Sequence, residues 1–391
     1  MAAPATAARV IPLTCSGHTR PVVDLQFSPI TADGTYYLIS ACKDGNPMLR
    51  DGQTGDWIGT FLGHKGAVQS RSSVAAVRLH VATIPSCVST DLSTNPVSPP
   101  ASAIFILTTS WAQILIDFLI IFSKVWDTFT GDVLHSFAHQ HIIRSADFSD
   151  DGTRIVTGGL EKKLRIFDLY RPEAQPLEAV GHTGAIKSVV FDERRNVILS
   201  AGEDKGGMLM ACLYAGLIHR FPISVVPWFG LHSPSCQYRV WDLRNLTQIT
   251  TLEANDAITS MTLSSDGKYI TSTAGKTAYF WDTSDYHLAK SYETQQDVPS
   301  ISLHPDHSRF IAGSVGTDLW VRIYDFETGK ELEVYKGHHG AIHTVSYSPD
   351  GEIYATGSED GTIRLWQTTP GKSYGLWQNN TKEGENGNGL D

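Results

Sequence analysis

Apolar and hydroxyl residues alternate over short stretches along most of this chain, and glycine, proline and aspartate stand between the stretches. The clearest example begins with Gly337 and His338, turns at residues 348–351 and again at Asp360, and closes on Trp366. Alternation with a period of two places one face of a strand against a core, and Asp-Gly pairs favour tight turns. The pattern therefore predicts a unit of short antiparallel strands, and hence an all-β protein.

The same unit recurs along the chain. Its third strand closes on an aromatic residue, or in one case on arginine, at seven places: Arg50-Asp51, Trp126-Asp127, Phe167-Asp168, Trp241-Asp242, Trp281-Asp282, Tyr324-Asp325 and Trp366-Gln367. Four of the intervals between these closing positions are 40 to 43 residues, whereas the first and third are 76 and 74. Seven sheet units are predicted, of which two carry additional residues.

The Gly-His opening, the Asp turn and the Trp at the close resemble the WD repeat, whose members fold as β-propellers. The resemblance implies a seven-bladed ring over residues 1–372, followed by a polar tail at 373–391. In such rings the N-terminal strand, here around Val10 to Cys15, completes the last blade and removes an exposed sheet edge. Blades 5 and 6 carry Asn255-Asp256 and Gln296-Asp297 in place of Gly-His, so we expect them to depend on strand packing.

The WD resemblance also implies a hydrogen-bond network of His, Ser or Thr, Asp and Trp in each complete blade. The matching residues are His18, Ser40 and Asp44; His182, Ser200, Asp204 and Trp241; and His338, Thr356 or Ser358, Asp360 and Trp366. A His-Asp-Ser set can also be a catalytic triad, but buried polar turns need mutual satisfaction, which explains these residues structurally. We expect no catalytic residue, metal or cofactor; the sequence identifies no partner-binding residue.

The two long intervals predict insertions at about residues 69–123 in blade 2 and 206–237 in blade 4. The first contains an apolar run at 104–122 with Asp117 as its one charge, which is long enough for a membrane span. A large surface loop is a second interpretation. A third is that both segments are translated introns, because Phe122-Ser123 and Cys236-Gln237 can be encoded with splice-acceptor sequences.

Composition narrows the class of protein. The chain has 391 residues, 41% apolar and 18% charged, with a net charge of −10 and a pI near 5.8. A general phosphate-binding surface is disfavoured, although Lys162, Lys163, Arg165, Arg194 and Arg195 suggest RNA binding as an alternative. The five cysteines are scattered without a CxxC pair, and the N-terminus has no apolar signal core. These features predict reduced thiols, no zinc, and a cytoplasmic and nuclear location.

Several phrases are more specific than a generic repeat. They include LISACKDG at 38–45, TGDWIGTFLGHKGAV at 54–68 and GKSYGLW at 371–377. These phrases resemble the WD-repeat adaptors associated with serine–threonine receptor kinases. The resemblance implies a non-catalytic scaffold whose partners are proteins of the survival-of-motor-neuron (SMN) complex, with a role in spliceosomal ribonucleoprotein assembly and mRNA splicing and, in animals, receptor kinase signalling. The resemblance also implies that nucleic acid is bound only indirectly. No membrane is expected among the partners. The alternative within scaffolds is the WD-repeat subunit of translation initiation factor three.

Overall fold

The computed structural model describes residues 12–31, 33–62, 104–108, 121–128, 130–149, 151–204 and 236–369. Most of the two predicted insertions and the whole predicted tail lie outside these residues. The described part is formed of strands and turns. No helix in it is long and apolar enough to cross a membrane.

In the described residues, twenty-seven strands form seven antiparallel sheets, which we call blades 1 to 7. The short strand β1 (Leu13–Cys15) precedes blade 1, which contains β2 (Val22–Phe27), β3 (Tyr37–Cys42), β4 (Met48–Asp51) and β5 (Trp57–Thr60). Blade 2 contains β6 (Ile104–Thr108), β7 (Ile121–Asp127) and β8 (Val133–His139). Blade 3 contains β9 (Ile143–Phe148), β10 (Arg154–Gly159), β11 (Lys163–Asp168) and β12 (Leu177–Val180).

The second half of the chain repeats this plan. Blade 4 contains β13 (Ile186–Asp192), β14 (Val197–Gly202), β15 (Cys236–Asp242) and β16 (Gln248–Ala254). Blade 5 contains β17 (Ile258–Leu263), β18 (Tyr269–Ala274), β19 (Thr277–Asp282) and β20 (Leu288–Glu293). Blade 6 contains β21 (Ile301–Leu303), β22 (Arg309–Gly313), β23 (Trp320–Asp325) and β24 (Glu331–Lys336). Blade 7 contains β25 (Ile342–Tyr347), β26 (Ile353–Ser358) and β27 (Ile363–Gln367), with β1 as its outer strand.

The N-terminal strand closes the ring, as predicted. Leu13 lies opposite Leu365 and Cys15 opposite Ile363, so β1 pairs antiparallel with β27. The inner strands β2 and β25 are in contact as well. Closure of this kind removes an unpaired outer edge of β27 and joins the first part of the chain to the last.

An apolar cluster fills each of the seven interfaces between neighbouring blades. Blades 1 and 2 share the cluster of Ile39, Leu49, Phe61 and Trp126. The corresponding clusters of the other six pairs are centred on Phe148, Phe191, Trp281, Phe310, Tyr354 and Leu38, in chain order and ending with blades 7 and 1. Apolar side chains thus pack on both faces of the sheets at these interfaces, while outer strands such as β8 and β12 keep exposed positions.

Blade 2 differs from the others, since three of its strands lie in the described residues whereas each other blade has four. Its strand β6 comes from the apolar run at residues 104–122. A membrane span, a surface loop and a translated intron were the three interpretations of this segment. Residues Ile104 to Thr108 pair with Asp127 to Ser123 of β7. The beginning of this run is therefore a strand of the ring, and residues 109–120 lie outside the described part of the chain.

Side chains on the inner strands also accept hydrogen bonds from backbone amides of the neighbouring blade. Ser145 and Asp147 of blade 3 accept hydrogen bonds from the amides of Val189 and Phe191 of blade 4, at 2.9 and 2.8 Å. Ser302 of blade 6 accepts one from the amide of Tyr347 of blade 7, at 3.0 Å. These inner strands surround a cavity of about 780 Å³ on the ring axis.

Candidate functional site: blade networks and loop faces

The most complete hydrogen-bond network lies in blade 4. Nδ1 of His182 is 2.6 Å from Oδ2 of Asp204, and Nε2 is 2.6 Å from Oγ of Ser200. The indole Nε1–H of Trp241 donates to the same Ser200 oxygen at 2.7 Å. The sequence-predicted residues are thus brought together across three elements of the blade.

Asp204 has further partners that sequence reasoning missed. Its Oδ1 accepts the amides of Thr183 and Gly184 at 2.7 and 2.8 Å, and its Oδ2 accepts Nε–H of Arg239 at 2.9 Å. Burial alone would raise the pKa of this carboxyl, but the hydrogen bonds from His182 and Gly184 hold the pKa well below its usual range. The carboxylate is ionised and fully partnered.

Blade 7 repeats this network with threonine. Nε2 of His338 is 2.7 Å from Oγ1 of Thr356, which also accepts Nε1–H of Trp366 at 2.9 Å. Nδ1 of His338 is 3.1 Å from Oδ2 of Asp360. Of the two hydroxyls considered from the sequence, Thr356 holds the imidazole. The Ser358 hydroxyl instead donates to the carbonyl of Gly340 at 3.0 Å.

Blade 1 has the histidine, serine and aspartate but not the tryptophan. His18 is 2.7 Å from Oγ of Ser40 through Nε2, and 3.1 Å from Asp44 through Nδ1. Burial raises the pKa of Asp44, but hydrogen bonds from His18 and the Asn46 amide outweigh it and lower the pKa to about 2. Arg50 occupies the tryptophan position, and its guanidinium donates to the carbonyls of Ser16 and Gly55 at 2.5 and 3.1 Å. It therefore ties the end of the closing strand to blade 1.

The polar residues of blades 2 and 3 are arranged differently. Nε2 of His139, the last residue of β8 in blade 2, lies 3.0 Å from Oγ of Ser123 in β7 of the same blade, while Glu161 of blade 3 pairs with Arg165 at 2.8 Å. Burial, with a smaller contribution from the Arg165 charge, lowers the pKa of His139 to about 3, so the imidazole is neutral at pH 7. The ring packs edge-on against Phe167, which stands at the tryptophan position.

The His, Ser and Asp residues that could have formed a catalytic triad have a structural explanation. His182, Ser200 and Asp204 are 6%, 0% and 2% exposed, and the serine oxygen already accepts the Trp241 proton. A nucleophile must reach its substrate, and this hydroxyl is buried between blade elements. The network instead satisfies the polar groups of a buried turn.

Four of the five basic residues considered for RNA binding are engaged within the fold, while Lys162 is exposed. Lys163 and Arg165 pair with Glu178 at 2.7 and 3.1 Å. Arg195 pairs with Asp192 at 2.9 Å, and Arg194 donates to the carbonyl of Asp266 in blade 5 at 2.9 Å. Their charge is compensated or directed at a neighbouring turn, which disfavours a phosphate-binding surface built from them.

Turns on the face opposite the networks are also joined from blade to blade. Nε2 of His304 in blade 6 lies 3.0 Å from the carbonyl of Gly351 in blade 7. His307 in the same turn lies 3.3 Å from Asp266 of blade 5. Described turns on both faces are therefore bonded to neighbouring parts of the ring, which is suited to presenting loop residues to other proteins.

These features define a WD-repeat β-propeller, which is a scaffold class. Three segments match the family model described as WD domain, G-beta repeat: residues 131–168, 246–282 and 329–367. The chain is 42% identical over 380 residues to the serine-threonine kinase receptor-associated protein of Gallus gallus, covering 97% of this chain and 89% of that protein. The protein of the same name from Dictyostelium discoideum is 42% identical over 356 residues, covering 91% of this chain and 98% of that protein. The chain belongs to the family of serine-threonine kinase receptor-associated proteins.

The alternative relative is more distant. Eukaryotic translation initiation factor 3 subunit I of Culex quinquefasciatus is 24% identical over 374 residues, covering 90% of this chain and 95% of that protein. The difference in identity, 42% compared with 24%, separates the two groups of relatives. The family resemblance predicted from the phrases at 38–45 and 54–68 is confirmed.

Proposed function

We propose that this protein is a non-catalytic adaptor that holds protein partners of the survival-of-motor-neuron (SMN) complex together during assembly of spliceosomal ribonucleoproteins, in the cytoplasm and the nucleus. A second association, with the receptor serine–threonine kinase pathway, is proposed on the name of the relatives. The observation that carries the proposal is the 42% identity along 97% of the chain to a receptor-associated WD-repeat protein. Nucleic acid enters these assemblies through the partners.

The ring supports an adaptor role physically. Its loops are fixed by networks on one face and by bonds between turns on the other, so a partner meets a surface that needs little ordering. Preorganisation of this kind lowers the entropic cost of association. The exposed residues Arg20 and Lys43 in blade 1 and His339 and Glu359 in blade 7 lie together on the network face.

The test is affinity purification of the full chain from cells of its own organism, followed by mass spectrometry. Recovery of SMN-complex and Sm-protein assembly factors supports the proposal. Recovery of initiation factor 3 subunits in their place would reject it in favour of the alternative scaffold.

Two matched charge reversals can then locate the binding face. Lys43→Glu alters the network face, while Arg171→Glu alters an exposed turn on the opposite face and also removes the ion pair of Arg171 with Asp168. We expect Lys43→Glu to reduce partner recovery and Arg171→Glu to leave it unchanged. The opposite result would assign binding to the other face.

A further inference from the structure

Blades 1 and 7 hold their histidine in the same way. The distances from Nδ1 to the aspartate Oδ2 are 3.1 Å in both blades, and those from Nε2 to the strand hydroxyl are 2.7 Å in both. Two positions after that hydroxyl, however, blade 1 has Cys42 where blade 7 has Ser358. Blade 4 has Gly202 at this position, where an added Cβ would lie 2.5 Å from the His182 ring.

The cysteine takes the place of the serine atom for atom. Sγ of Cys42 donates to the carbonyl of Arg20 at 3.0 Å and accepts the Asp44 amide at 3.4 Å. Oγ of Ser358 makes the equivalent contacts with Gly340 and Asp360, at 3.0 and 3.3 Å. Blade 1 therefore places a thiol beside the His–Asp pair without disturbing the network.

The consequence is a triangle of unlike donor atoms. The imidazole nitrogen of His18, the sulfur of Cys42 and a carboxylate oxygen of Asp44 lie within 4.8 Å of one another. In the part of the chain that the structure describes, this is the one group of three or more such ligands. Donors that share a zinc ion lie roughly 3–4 Å apart, given metal–ligand bonds of about 2.0–2.3 Å.

We propose that blade 1 binds one thiophilic divalent ion, of the zinc and cadmium class, through Nδ1 of His18, Sγ of Cys42 and a carboxylate oxygen of Asp44. Nitrogen, thiolate and carboxylate are donors that zinc accepts, and a water molecule can supply the fourth ligand. This site was not predicted from the sequence, because its cysteine is single and lies 24 residues from the histidine. Zinc was expected to be absent on that ground.

The protons can be accounted for. In the metal-free network Nδ1–H of His18 donates to Asp44, and Nε2 accepts from Ser40. With an ion on Nδ1 the imidazole proton resides on Nε2 and is donated to Ser40, whose own hydroxyl proton then points to the Met48 carbonyl at 3.3 Å. The thiol proton leaves to solvent, so each ion bound at neutral pH releases one proton.

Burial of the cysteine opposes loss of the thiol proton in the metal-free protein. Without an ion, burial raises the pKa of the Cys42 thiol to about 12 and the side chain stays protonated. Asp44 is already ionised, since hydrogen bonds from His18 and Asn46 outweigh the effect of burial on its pKa. Coordination to a divalent cation removes a thiol proton that the apolar surroundings alone would retain.

The first experiment adds cadmium to the reduced full-length protein and records the ultraviolet absorption of the cadmium–thiolate bond. We expect one thiolate band per protein chain, lost in Cys42→Ser and kept in Cys236→Ser, which removes another buried thiol. Cys87 and Cys212 are present in both variants, so the difference isolates Cys42. A band that survives Cys42→Ser, or no band in the wild type, would overturn the proposal.

The second experiment moves the site. In the Cys42→Ser background, Ser358→Cys places a thiol in the matching position of blade 7, and the cadmium band should return. Circular dichroism establishes that each variant is folded. A folded Ser358→Cys protein without the band would show that the donor triangle is not sufficient, and the proposal would fall. Zinc should raise the melting temperature of the wild type and leave that of Cys42→Ser unchanged.

Discussion

Blades 4 and 7 are stabilised by polar networks, whereas blades 5 and 6 meet through aromatic rings. In blade 4 the carboxylate of Asp204 has an imidazole, a guanidinium and two amides as partners. Between blades 5 and 6, Phe280 lies 5.1 Å from Phe310 and 4.9 Å from Phe326, measured between ring centroids. The networks lie within blades 4 and 7, whereas these aromatic rings lie at the interface of blades 5 and 6.

Blade 5 retains one part of the network. Nε1–H of Trp281 still donates to Oγ of Ser272, at 3.1 Å. The histidine position is taken by Asp256, an exposed residue whose carboxylate accepts the amide of the next residue, Ala257, at 2.7 Å. In the described residues, blades 5 and 6 therefore share the aromatic cluster of Phe280, Phe310 and Phe326 without the His–Asp pair of blade 4.

The largest effect is expected from removing an aromatic ring at the interface of blades 5 and 6. Phe280 is fully buried and its ring also packs against Tyr292, so Phe280→Ala should lower the free energy of unfolding by roughly 3–5 kcal/mol. Urea denaturation measures the loss. Phe280→Leu keeps most of the volume and should cost less than about 1.5 kcal/mol. Equal losses in the two variants would show that cavity formation is not the cause.

Whether a feature of these blades could be predicted from the sequence depends on how far apart along the chain the interacting residues lie. The strands and the closure by β1 follow from period-two alternation and turn residues, which are local signals. Asn255 and Gln296 in place of Gly-His also marked blades 5 and 6 as different. The pairing of Ile104–Thr108 was not predicted, because a short apolar run does not distinguish a strand from part of a longer apolar segment.

Contacts between distant segments were harder to predict. Arg50 was seen to replace tryptophan, but its partners are the backbone carbonyls of Ser16 and Gly55, which no residue type indicates. The meeting of Cys42 with His18 was missed for a related reason. A usable signal existed, since alignment of the repeats places Cys42 on Ser358, two positions after the network hydroxyl.

The next largest effect is expected in blade 4. Asp204→Ala leaves His182 and Arg239 without their carboxylate and should cost roughly 2–3 kcal/mol at pH 7. Asp204→Asn keeps an acceptor for the amides of Thr183 and Gly184 and should cost less. A loss below about 0.5 kcal/mol in the alanine variant would contradict the contrast between networked and aromatic blades.

The Asp204 variant also has a defined pH dependence. Because the pKa of Asp204 is lowered on folding, its ionised form stabilises the protein above the unfolded pKa of about 3.8, and this stabilisation is lost as the pH falls toward the folded value. The stability difference between wild type and Asp204→Ala should therefore be constant near neutrality and shrink below about pH 4. A difference that grows on acidification would reverse the assigned direction of the shift.

A smaller loss is expected for the matching residue of blade 7. The Asp360 side chain is 13% exposed, compared with 2% for Asp204, and its ion pair is with His338 alone among the described residues. Asp360→Ala should cost roughly 1–2 kcal/mol. Thermal unfolding of both variants in one buffer gives the order directly, and a greater loss at Asp360 would mean that the arginine of blade 4 adds nothing.

The smallest effect is expected at the corresponding residue of blade 5. Asp256 has no imidazole partner, and its carboxylate accepts a hydrogen bond from the adjacent amide of Ala257, so Asp256→Ala should change stability by no more than about 0.5 kcal/mol. The measurement is the same thermal unfolding, with Asp360→Ala as the comparison. A loss as large as that of Asp360→Ala would mean that blade 5 has its own polar network, and that aromatic packing does not replace the histidine.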